Sequence, residues 1–140
     1  MAAHFHESGI AFRYPENWTL EREDHESGWT VSVQSPDTAF LIVTFDADAP
    51  DIASMADSAL ESLRAEYPGL EAEAQVESIA DQPAVGHDVH FFSFDLTNTA
   101  GIRSFRAEDG TVLVLWQFND LEQDRSEPVL KAIRASITEE

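Results

Sequence analysis

Cysteine is absent from the 140 residues, which removes disulfides, thiol chemistry and cysteine-ligated zinc or iron–sulfur sites. Basic charge is nearly as scarce. Seven arginines (Arg13, Arg22, Arg64, Arg103, Arg106, Arg125, Arg134) and a single lysine, Lys131, stand against 27 Asp and Glu, a formal net charge of −19. Binding phosphate needs clustered Lys and Arg, and no such cluster exists along the chain, so the charge argues against nucleic acid and against anionic membrane surfaces. No apolar run approaches the roughly 20 residues of a membrane span. The start, Met1-Ala2-Ala3-His4-Phe5-His6-Glu7, has neither the basic residues nor the apolar run of a signal peptide. These absences together imply a cytoplasmic location.

Motifs of common chemistries are missing too. There is no glycine-rich phosphate loop, no dinucleotide fingerprint and no Gly-x-Ser-x-Gly nucleophile elbow. Ser8-Gly9 and Ser27-Gly28 are turn pairs. No cofactor is expected.

What is present is an ordinary core composition, 43% hydrophobic with nine Phe and three Trp, in a chain long enough for one domain over residues 1–140. Such a length buries roughly 70% of the surface of the unfolded chain. Abundant carboxylate with scarce lysine fits a protein adapted to salty surroundings, where counter-ions screen the self-repulsion. A GC-rich genome, favouring Ala and Arg over Lys, accounts for the same composition equally well. The two are separated by a melting experiment. Adaptation to salt predicts that the melting temperature rises from low to molar salt, and a flat response removes it.

Gly and Pro punctuation among β-branched and aromatic runs predicts short strands through the first third. These are Phe5–Ser8 and Ala11–Tyr14 around Gly9, then Trp18–Arg22, Trp29–Ser35 and Ala39–Asp46. A helix follows Pro50-Asp51, because Ile52, Met55, Ala56, Ala59, Leu60, Leu63 and Tyr67 recur at three- and four-residue spacing before Pro68-Gly69. Next come a polar strand, Glu71–Ile79, and a long strand, Val85–Leu96, with a turn expected over Thr97–Gly101. Ile102–Ala107 and Thr111–Phe118 complete a meander around Glu108-Asp109-Gly110. A last helix is expected from near Asp124 or Ser126, with Pro128 in its first turn and Val129, Leu130, Ile133 and Ile137 on one face.

Three of these strands carry apolar residues on both faces: Phe40–Phe45, Val112–Phe118 and the strand from Val85, which sets Val89 and Phe91 against Phe92, Phe94 and Leu96 unless a bulge resets its phase. A half-exposed antiparallel sheet alternates cleanly, so these strands must be covered on both sides. The fold class that follows is α+β, a central twisted antiparallel sheet with a helix on each face, an α/β/α sandwich.

The stretch Phe12-Arg13-Tyr14-Pro15-Glu16-Asn17-Trp18 and the ending from Phe105 through Glu108-Asp109-Gly110 to Trp116, within this order of elements, resemble the Mog1/PsbP-like fold group. That group includes the photosystem II extrinsic protein PsbP, the Ran-binding protein Mog1 and many bacterial domains. The resemblance implies an accessory or binding protein rather than an enzyme, and it carries no catalytic residue onto this chain.

Candidate ligands are few. His4 and His6 alternate along a strand and so share a face, from which both imidazoles could hold one divalent ion; ordinary surface histidines are the plainer reading. His87 and His90 point to opposite faces. Asp46, Asp48 and Asp51 bring three carboxylates between a strand and a helix, an oxygen-rich set suited to calcium or magnesium, although the loop lacks the glycine and distal glutamate of an EF-hand. Asp51 is equally a helix-starting residue. Tyr14, Trp18 and Trp29 are core residues or, alternatively, line an exposed patch for a partner. The expected function is a non-enzymatic accessory module whose partner is a protein with a basic or neutral surface. A small-molecule or divalent-metal-binding domain is the alternative, and an enzyme without a familiar motif comes third.

Overall fold

The computed structural model describes residues 2–140. Ten strands and two helices follow one another as β1 (Ala2–Glu7), β2 (Ile10–Pro15), β3 (Thr19–His25), β4 (Gly28–Gln34), β5 (Phe40–Asp46), α1 (Ile52–Glu66), β6 (Glu71–Ile79), β7 (Gln82–Ser93), β8 (Leu96–Arg106), β9 (Thr111–Asn119), α2 (Gln123–Ala135) and β10 (Thr138–Glu139). Seven of the strands form one antiparallel sheet in the order β3-β4-β5-β9-β8-β7-β6. The connection from β5 through α1 to β6 carries the chain across one face of this sheet to its far edge.

Each face has its own helix, and β9 shows why. Val112, Val114, Trp116 and Phe118 belong to the core beneath α2, with Leu130 and Ile133. Leu113 and Leu115 pack on the opposite side, in the cluster that Ala56, Leu60 and Leu63 of α1 make with Val89, Phe91, Ala100 and Ile102. The two-sided pattern read in the sequence thus becomes the α/β/α sandwich. One correction concerns the N-terminus. β1 and β2 do not join the central sheet. They pair with β10 in a separate three-stranded sheet, which adds Phe5, Ile10 and Phe12 to the α2-side core. Two residues, Thr138 and Glu139, are too few to leave a strand signal in the sequence. A second correction is small: α2 begins at Gln123, so Pro128 falls in its second turn.

The larger correction lies between β7 and β8. The expected turn over Thr97–Gly101 is strand, and the chain reverses at Phe94-Asp95, both at positive φ (54° and 62°). Two consecutive left-handed residues make the tight hairpin turn whose twist matches the strands. Gly101 is needed for a different reason. A Cβ there would fall inside the indole of Trp116 on β9.

Polar contacts under α2 tie the helix to the sheet. Arg103, buried on β8, donates from Nε to Glu77 Oε1 (2.7 Å) and from Nη2 to Asp88 Oδ1 (2.8 Å). Its Nη1 donates to the carbonyls of Ile102 (2.9 Å) and His87 (3.2 Å). Arg134 of α2 donates to the other oxygen of Glu77 (3.3 Å) and lies over the Trp116 ring, 3.8 Å from its centre. Burial holds the Arg134 guanidinium below its ordinary pKa, against the opposing pull of Glu77.

Candidate functional site

A sheet edge is a place where another chain can pair, because an edge strand offers unpaired N–H and C=O groups. Here both long edges are blunted by charge. β3 is exposed along nearly its whole length and carries Glu21, Arg22, Glu23 and Asp24; β6 carries Glu71, Glu73 and Glu77. The exception is the β7–β8 hairpin.

Its geometry follows from the registers. β6 pairs with β7 only as far as Glu71 opposite His90, and β9 pairs with β8 only as far as Asn119 opposite Asn98. Beyond these points residues 92–97 pair with one another alone, Phe92 with Thr97 and Ser93 with Leu96. The hairpin therefore projects past the sheet as a two-stranded arm. Phe92 is 73% exposed, Phe94 at the tip 96% and Leu96 37%. Since paired residues share a face, Phe92 and Leu96 lie on opposite faces of the arm, with Phe94 at its end. Leu121, in the 3-10 turn Asp120–Glu122, is exposed at the same end of the sheet.

Phe94 combines two local penalties. A bulky aromatic at φ 54° is a backbone outlier where Asn or Gly is the natural occupant, and a fully exposed Phe gains nothing from burial. Local strain of this sort persists at functional positions.

Beside the arm lies an open groove of about 570 Å³ between the C-terminal end of α1 and β7. Phe91 stacks on Tyr67 with ring centres 4.0 Å apart, and Leu70 is buried with them in the α1-side cluster. Glu66, Glu71, His90 and Phe92 stand around it. Burial, then the charge of Glu66, pushes the Tyr67 phenol above its ordinary pKa.

The residues singled out from sequence fall elsewhere. His4 and His6 do share the outward face of β1, with Phe5 turned inward, and His6 Nε2 lies 3.3 Å from Glu140 Oε2. Asp46 and Asp51 are engaged locally: Asp46 Oδ1 accepts from the Asp48 amide (2.9 Å), and Asp51 Oδ2 accepts from the Ser54 amide (3.0 Å) as the cap of α1. Among the described residues no group of three or more His, Asp or Glu is arranged to hold a metal ion. His87 meets Asp57 of α1 (3.0 Å), while His90 faces the other side near Thr99. Trp18 and Trp29 are buried, at 8% and 3% exposure. Trp29 stacks on Phe45 and donates to Ser8 Oγ, so neither tryptophan offers a surface and the core reading replaces the patch. Tyr14 is half-buried beside Val129 and Pro128 of α2.

The arm itself is not expected from the sequence, in which Phe92, Phe94 and Leu96 form one covered face of a strand unless a bulge resets its phase; the registers of β7 run without a bulge. A signal was there. Apolar residues shift from odd positions (Val89, Phe91) to even ones (Phe92, Phe94, Leu96) at a single step, and such a phase break marks the point where a strand stops having the same neighbours.

By sequence, no family model matches the chain and no curated protein matches it. By structure the likenesses run end to end. LpqN of Mycobacterium tuberculosis, involved in cell envelope biogenesis, superposes with a TM-score of 0.64 at 13% identity, over 99% of this chain and 88% of that one. Cyanobacterial PsbP (CyanoP) from Synechocystis sp. PCC 6803 gives 0.62 at 11%, over 99% and 92%. PA94 of Pseudomonas aeruginosa, a protein of unknown function, gives 0.58 at 12%, over 99% and 97%. At these identities the likeness concerns the fold, which is that of the PsbP/Mog1-like group.

Proposed function

Starting from a fold shared with CyanoP and LpqN, we propose that this chain is a non-catalytic module that binds a protein partner through the 92–97 arm. The observation that carries this reading is Phe94, kept fully exposed in a backbone conformation that disfavours it. Large exposed aromatics at a projecting tip are the residue type that anchors interfaces. The partner surface is basic or neutral, because a body of net charge −19 draws such surfaces in and repels acidic ones.

The test separates stability from binding. Phe94→Asn puts a residue suited to left-handed backbone at the tip, so folding stability should rise by about 1 kcal/mol, read as a higher melting temperature. Capture of a partner from the native lysate at moderate salt should meanwhile fall at least tenfold against wild type. A variant that is more stable and captures the same partner in full would place the interface elsewhere.

A further inference from the structure

The groove beside the arm has a free strand edge for one wall. Two hairpins fix the phase of β7 independently. In a two-residue hairpin the flanking pair exchanges the ladder hydrogen bonds. The Ile79–Gln82 pair therefore turns the N–H and C=O of even-numbered β7 residues toward β6, and the Ser93–Leu96 pair turns those of odd-numbered residues toward β8. The two agree. Phe92 is even, so its amide and carbonyl point to where β6 would continue, but the chain has left that position through Pro68-Gly69-Leu70. An unpaired strand segment thus faces a groove with stacked aromatics, Tyr67 and Phe91, and with Glu66 and Glu71 at its rim. No Lys or Arg lines it among the described residues.

We propose that this groove takes an extended peptide segment of the partner, which adds as a short strand to β7 at Phe92. Main-chain bonds to a sheet edge supply affinity and side-chain pockets supply choice. An apolar side chain of the peptide lies on the α1 side against the Tyr67–Phe91 pair, and a Lys or Arg near it meets Glu66 and Glu71. The charge decides the occupant: a second copy of this chain brings another −19 to an acidic rim, whereas a basic segment complements it. This inference rests on the partner-binding reading above and adds the partner's chemistry.

The probe is a synthetic peptide, Ac-Lys-Val-Phe-Val-Lys-amide, titrated into isotope-labelled protein and followed by amide chemical shifts. Its acidic counterpart carries Glu in place of both Lys. Two further versions are N-methylated, one at the Phe and one at both Val, each blocking one edge of the peptide strand. The basic peptide should shift the amides of Phe92, Leu70 and Glu71 saturably, and the acidic one should not. One methylated version, and only one, should bind about tenfold more weakly. Glu66→Gln with Glu71→Gln should weaken the basic peptide several-fold, most at low salt. Equal binding of acidic and basic peptides, or indifference to both methylations, overturns the inference. Shifts confined to residues 93–96 overturn it while leaving the arm as the contact, and an unaltered capture by the Phe94→Asn protein removes the arm without touching the peptide result. Shifts at Phe92 that follow protein concentration without peptide assign the edge to a second copy and overturn it as well.

Discussion

Replacing Gly101 by alanine is expected to destabilise the protein by about 3 kcal/mol, the upper part of the range for overpacking a filled core, which lowers the melting temperature by roughly 10 °C for a chain of this size. The added Cβ would sit within the Trp116 indole. The indole cannot simply move aside. Arg134 lies over its ring at 3.8 Å and Arg103 stands 5.0 Å from the same ring, and both guanidiniums are held by Glu77. Displacing Trp116 therefore disturbs the contact between α2 and the sheet. The check is a double-mutant cycle by denaturant unfolding. In a Trp116→Leu background the ring is gone, so adding Gly101→Ala should cost less than about 1 kcal/mol, a strongly non-additive result. Additive effects would mean that Gly101 is required for its backbone and not for the indole.

Arg103→Leu is the second large effect, expected at about 3 kcal/mol. Removing one partner of a buried pair costs about 3–5 kcal/mol because it strands the other charge. The lower end applies, since the side chains of Glu77 and Asp88 remain 28% and 37% exposed and water takes up part of the loss. The guanidinium also serves the carbonyls of His87 and Ile102, which lose a donor. Arg103→Lys keeps the charge but not the fork that spans two carboxylates at once, so it should recover less than half. Urea unfolding of the three proteins at low and high salt reads this directly. Because the guanidinium is buried, the Arg103→Leu deficit should change little with salt; a deficit that vanishes in molar salt would make the network a surface effect.

Much of the fold was legible because it is written in local pattern. The stripe through Ala56, Leu60 and Leu63 needs only the helical period, and the apolar residues on both faces of β5 and β9 required two cover layers. Turns at Gly9 and at Glu108-Asp109-Gly110 carried their own glycine. The 94–95 turn did not. Phe94 is a strand former by propensity, while Asn98 and Gly101 suggest a turn that the structure does not make there. Asn98 is instead a buried strand residue, and Gly101 is small to make room for an indole fifteen positions away. A residue type chosen for a distant neighbour looks, in sequence, like one chosen for its own backbone.

The same distinction separates the candidate sites. Alternation placed His4 and His6 on one face of β1, and it set His87 and His90 on opposite sides of β7. It could not say that Trp18 and Trp29 are enclosed, because enclosure of Trp29 depends on Phe5 arriving from a second sheet. By itself the sequence determined the fold class, the two-layered cover, the acidity and the absence of familiar catalytic motifs, all of which are sums or short-range periods. Only the tertiary structure decided which apolar residues stay in water. Phe91 and Phe92 are adjacent and chemically identical, yet one stacks beneath α1 and the other projects, because burial of a strand residue is set by what lies on its face and at its edge, and the pairing of β6 with β7 stops at Glu71–His90, two register positions short of Phe92.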